Sequence, residues 1–180
     1  FEGAAPTIDL PHPLVGMVAR LAPEKAPGDL LALAAAVPQA NFALVGEGPL
    51  RDELEQQAGT NVHFLGFRDD MAGVYASLDV LVQPSYREGM PMTILEAMAA
   101  GVPVVASRVG AAEDVIEDGR TGMLYDAGDV PALIAAVRLA LSDEGRDAGK
   151  AAKDAVAAQF TVDEMARRYA EQYRRVLGGR

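Results

Sequence analysis

The alternation of six short apolar runs with helix-forming segments constrains this chain most. The runs are PLVGMVA (13–19), NFALVG (41–46), NVHFLG (61–66), DVLVQPS (79–85), PVVAS (103–107) and TGMLYD (121–126). Helical patterns lie between them at 28–37, 50–58, 70–78 and 91–100, with a helical turn or short helix at 111–118. Two or three more close the chain, over 129–142, about 144–160 and about 162–177. Short β-branched runs separated by helices build βαβ units, because two parallel strands can be joined only by a crossover. The runs are apolar almost throughout rather than alternating, as expected when helices cover both faces of a sheet. The expected fold is α/β: a single Rossmann-like, doubly wound parallel sheet. Ligands of such sheets bind beyond the carboxyl ends of the strands, near the reversal of strand order. The informative residues are then those just after each run: 19–20, 46–48, 66–67, 85–90 and 107–110.

Composition removes several classes of function. There is no cysteine, so disulfides, zinc–thiolate sites and cysteine nucleophiles are excluded together. The net charge of −10 disfavours non-specific nucleic-acid binding, since a phosphate backbone repels such a surface. No apolar run approaches the length of a membrane-spanning helix, and FEGAAPTIDLPHP at the N-terminus is not a signal peptide. A cytoplasmic protein is expected. Residues 1–12, punctuated by Pro6 and Pro11, read as an arriving linker, and the absence of an initial Met suggests a fragment or processed chain. The seven methionines read as core filler, and His12 and His63 show no metal-ligand spacing.

The most informative stretch is SYREGMPMTILEAMAAGVPVV (85–105). It reads as strand end, loop, then a helix with Pro91 in its first turn and Gly101 ending it. Free N–H groups at such a helix start form an anion site. Gly89 lets a ligand approach the backbone. An ionised Glu96 inside an apolar helix is costly unless paired or wet, so it is expected to face a polar cleft and accept hydrogen bonds from a ribose diol. Glu88, in the loop, is placed to accept from a sugar. The plain alternatives are a solvent-exposed helix face and an ordinary loop glutamate. A glycosidase-type carboxylate pair is disfavoured, because one acid lies inside the helix and the other at its mouth beside the anion site. After the first strand, Arg20 and Lys25 are positioned to clamp a diphosphate and stabilise its developing charge. Solvated surface charge is the alternative there.

VARLAPEK, FALVGEGPLRDEL, VHFLGF, DVLVQPSYREGMPMTILEAMAAGVPVVAS and DGRTGMLYDAGD together resemble the donor-binding C-terminal domain of group 1, GT-B fold glycosyltransferases. The resemblance runs from Leu14 to Tyr173, and its most specific element is Glu88, seven residues, then Glu96. It implies a nucleoside diphosphate sugar as donor, transfer with retention, and neither metal nor other cofactor. Arg20, Lys25 and Glu88 take the catalytic roles it implies, the first two on the diphosphate and the third beside the donor sugar. Gly89, Met90 and Pro91 surround sugar and phosphates, Glu96 holds the ribose, Gly46 and Gly48 form the loop under the nucleotide, and Phe67 marks where the base lies. The chain departs from the family where glycines are usual, at Ala19, Ala26 and Ala111; the last puts the shape of the sugar loop in doubt.

The domain reading is then a linker at 1–12, a donor-binding domain at 13–160 and a C-terminal helix within 161–180. Val162, Met165, Ala166, Tyr169, Tyr173 and Leu177 recur at helical spacing and resemble a helix crossing to an acceptor-binding N-terminal domain; packing on this domain's own core is the alternative. Membrane contact is expected only through that other domain, peripherally at the inner face, and this chain alone is expected to transfer poorly or not at all. Two other readings stay open: a non-catalytic nucleotide-sugar-binding module, and half of a sugar-nucleotide epimerase. A dinucleotide-dependent dehydrogenase is weaker. Its fingerprint would start at Gly46, but it follows the second strand and Arg51 replaces the third glycine.

Overall fold

The computed structural model describes residues 3–178. Six strands form one parallel sheet: β1 (Leu14–Val18), β2 (Asn41–Val45), β3 (Val62–Gly66), β4 (Val80–Gln83), β5 (Val104–Ser107) and β6 (Met123–Tyr125). Their spatial order is β3-β2-β1-β4-β5-β6, so the chain reverses direction across the sheet between β1 and β4. The helices are α1 (Pro27–Ala36), α2 (Arg51–Gln57), α3 (Met71–Ala76), α4 (Met92–Ala100), α5 (Ala112–Val115), α6 (Val130–Ala140), α7 (Asp143–Gln159) and α8 (Val162–Leu177). A 3-10 turn at Pro23–Lys25 precedes α1.

The strands separate two cores. Val15, Met17, Phe42, Leu44, Val80, Val82 and Val105 face α1 and α6 through Leu30, Leu33, Leu133 and Val137. Their strand neighbours Leu14, Ala43, Val45, Leu81 and Val104 face α3, α4 and α7 through Val74, Ile94, Met98 and Ala152. Alternate side chains of a strand point to opposite faces, so continuous apolar runs make both layers at once. The segment at 7–12 packs on this body. Ile8 is buried, and the backbone N–H groups of Thr7 and Ile8 both donate to Ser77 Oγ. His12 pairs with Asp79 at 2.6 Å, and Asp79 also accepts from the Leu14 N–H.

Three local expectations need correcting. Pro91 is not in the first helical turn: its ψ of 93° places it as the extended residue that caps α4. The methionines are not uniformly core. Met17 and Met98 are buried, but Met90, Met92 and Met165 are each more than half exposed, near the start of α4 and on α8. Core packing of α8 on this domain is not realised, for none of its described residues is buried.

Candidate functional site

At the carboxyl edge of the sheet the loops after β1 and β4 meet, on either side of the reversal in strand order. Tyr86 N–H donates to Glu24 O at 2.9 Å, and Arg87 N–H reaches the same carbonyl at 3.4 Å. The Lys25 ammonium lies 2.7 Å from Glu88 Oε1. Lys25 follows from the 3-10 turn, which closes on Ala26 in the left-handed region at φ 49° and ψ 48°. A glycine adopts that conformation without strain, whereas Ala26 holds it with a Cβ.

Glu88 Oε1 also accepts from Gln83 Nε2 at 2.6 Å and from Ser85 Oγ at 2.7 Å. Gln83 Oε1 accepts in turn from Thr93 Oγ1 at 2.5 Å. Burial pushes the Glu88 carboxyl up, but hydrogen bonds from Lys25, Ser85 and Gln83, with the Lys25 charge, outweigh it and leave the group below its ordinary value. Glu88 is therefore an anion held at a loop tip.

Beside this cluster opens a cleft of about 580 Å³, lined by Val18, Arg20, Gly46, Glu47, Phe67, Arg68, Asp69, Thr93 and Glu96 among others. Arg20 is exposed, and its guanidinium has no hydrogen-bond or ion-pair partner among the described residues. Other cations around the cleft are spoken for: Arg68 chelates Asp70, and Arg51 holds Glu47 and Glu55. The Glu96 carboxylate accepts from the buried Tyr75 hydroxyl at 2.7 Å, which orients it. Burial first, then the Glu96 hydrogen bond and charge, push the Tyr75 phenol well above its ordinary value, so it stays a donor. Phe67 stands 79% exposed at the cleft wall, a free aromatic face.

The glycines act differently from one another. Gly46 lines the cleft with φ 134°, and a Cβ there would lie 2.0 Å from Ala19 O. Gly48 is not in the lining; a Cβ on it would meet Leu21 O at 2.3 Å, so it serves the packing of one loop on the other. Gly89 faces open space at the loop tip, and its carbonyl accepts from Ala111 N–H. Met90 lines a separate apolar groove of about 460 Å³ with Leu95, Phe160, Val162, Met165 and Tyr169, and Pro91 is buried.

The structure thus brings Arg20, Gly46, Phe67 and Glu96 into one cleft and Lys25 with Glu88 into an adjoining cluster, while Gly48 and Met90 point elsewhere. Sequence reasoning missed Tyr75, Gln83, Ser85 and Thr93. Ser85 and Thr93 stand within 85–105 and Gln83 two residues before it, and for Gln83 and Ser85 a polar residue at a strand's carboxyl end was the available signal; Tyr75 carried none, since its helix reads as ordinary core.

Residues 12–143 match the model of the family described as glycosyl transferases group 1. The chain is 39% identical over 150 residues to a sulfoquinovosyl transferase of Arabidopsis thaliana, covering 79% of this chain and 29% of the relative. It is 37% identical over 173 residues to a GDP-mannose-dependent alpha-mannosyltransferase of Mycolicibacterium smegmatis, covering 94% of this chain and 45% of the relative. The crystal structure of Anabaena HepE in complex with UDP and glucose superposes with a TM-score of 0.81 at 30% identity, over 89% of this chain and 48% of that one. The chain spans less than half the length of these relatives.

Proposed function

Because the chain belongs to the group 1 glycosyl transferases, with 12–143 matching the family, we propose that it is the donor-binding half of a GT-B glycosyltransferase. The full protein would move a hexosyl group from a nucleoside diphosphate sugar to a glycan, lipid or small-molecule acceptor. Retention of configuration and independence of metal follow the family resemblance. The observation that carries the reading is the cleft at the strand-order reversal, where an unpaired guanidinium, Arg20, and an oriented carboxylate, Glu96, line one wall-to-wall space. A cation suits a diphosphate and a carboxylate suits vicinal hydroxyls. Arg20 and Lys25 would stabilise the departing diphosphate, Glu88 would meet the donor sugar with Gly89 beside it, and Phe67 with Gly46 would border the nucleotide, while Gly48 would serve only to pack that loop.

The acceptor would be held by an N-terminal domain of the same protein. The exposed stripe of Val162, Met165, Tyr169 and Tyr173 supports this, being apolar surface that α8 leaves uncovered. No helix among the described residues is long and apolar enough to cross a membrane; a cytoplasmic enzyme, touching a membrane only through that other domain, fits the reading.

Calorimetric titration with UDP, GDP, ADP and NAD tests it. One nucleoside diphosphate should bind, and Glu96→Ala should weaken it by about 1–3 kcal/mol, the cost of losing a charge-assisted hydrogen bond. Binding of NAD alone would replace the reading with a dehydrogenase.

A further inference from the structure

We infer that Gln83 is a positioning residue for Glu88, holding one carboxylate oxygen so that the other is presented to the donor sugar. This deepens the donor-site reading and rests on it. Gln83 ends β4 and is 6% exposed, and a buried amide must find partners. Its orientation is fixed by chemistry. The Glu88 carboxylate only accepts, so the Gln83 NH2 must face it, and the Gln83 carbonyl must then face the Thr93 hydroxyl. All three bonds to Glu88, from Lys25, Gln83 and Ser85, converge on Oε1. Oε2 has no partner among the described residues.

The neutral donors have a separate purpose from the cation. Among the described residues Lys25 is the one charged group facing Glu88, and it is also the group a diphosphate would attract. Whichever way Lys25 leans, Gln83 and the fully buried Ser85 keep the carboxylate in place. Gln83 also ties the loop to the cleft, because Thr93 lines that cleft from the first turn of α4. Thr93 spends its single proton on Gln83 and so offers only lone pairs to a ligand.

Gln83→Met tests this, since it keeps side-chain length and apolar packing but removes the amide. Two readouts are taken, on wild type and variant. Carboxyl NMR with labelled glutamate follows the Glu88 titration, and calorimetry compares UDP with UDP-glucose and GDP with GDP-mannose. The expected result is an upward shift of the Glu88 midpoint. The nucleoside diphosphate Kd should stay within about twofold while the gain in affinity from the sugar falls at least threefold. Ser85→Ala, which removes a different one of the three bonds, should move both readouts the same way, and it serves if Gln83→Met does not fold. An unchanged midpoint with an unchanged sugar gain overturns the role of Gln83 and leaves the donor reading standing. Failure of wild type to bind any of the four probes overturns both.

Discussion

Lys25 and Glu88 are 63 residues apart in sequence and 2.7 Å apart in space, joining the loops after β1 and β4 across the reversal of strand order. The Glu88 side chain is 8% exposed and that of Lys25 is 24% exposed. Lys25→Met leaves a largely buried carboxylate with two neutral donors. We expect a loss of about 1–2 kcal/mol, below the range for fully buried pairs because Lys25 is partly wet. Urea denaturation of Lys25→Met, Glu88→Gln and the double variant measures it; additive single effects would show that the pair is uncoupled.

The same pair gives stability a definite pH dependence. The folded Glu88 carboxyl sits below its ordinary value of 4.5, so the unfolded chain binds the proton more readily. Its contribution is complete above 4.5 and is lost as pH falls through the lowered folded value. Glu88→Gln should therefore flatten part of the acid limb of a stability–pH profile. An acid limb identical to wild type would contradict the lowered carboxyl.

At alkaline pH the sign reverses. The Tyr75 phenol is raised by burial, then by Glu96, and that of Tyr125 is raised by burial, then by the Asp29 and Tyr86 charges. Above the ordinary value of 10.0 the unfolded chain sheds protons that the folded chain keeps, so stability should fall as pH rises through 10.0. Tyr75→Phe should lessen that fall while costing about 1 kcal/mol at neutral pH through the lost bond to Glu96. Denaturation midpoints on either side of pH 10.0 decide it.

Two glycines at the site should behave oppositely. Gly46→Ala faces φ 134° and the Ala19 carbonyl at 2.0 Å, and should cost about 2 kcal/mol or more. Gly89→Ala meets nothing within 4 Å and should change stability by less than about 0.5 kcal/mol. If a donor approaches that loop tip, Gly89→Ala will nevertheless weaken its binding. Thermal denaturation paired with nucleotide-sugar titration separates the two effects.

On α8, Met165→Ser with Tyr169→Ser should leave the stability of this chain within about 0.5 kcal/mol, because both side chains are more than half exposed. A larger loss on urea denaturation would mean that α8 is docked on the domain's own core.

The fold class was legible along the chain because burial on both faces of a parallel sheet demands unbroken apolar strands such as Leu14–Val18, and a crossover demands the helix that follows. The glutamates were legible for a related reason: an acid at position 96, within an apolar helix, is an anomaly that local physics flags. Tertiary structure alone decided who their partners are. Nothing within Met71–Ala76 announces that Tyr75 reaches Glu96, and nothing near Lys25 announces Glu88. Nor does spacing separate Gly46, which lines the cleft, from Gly48, which packs against Leu21, two residues further along. Local pattern reports a residue's preference for water or apolar surroundings. Which group meets it is settled by the order of strands in the sheet, and that order brings the ends of β1 and β4 side by side.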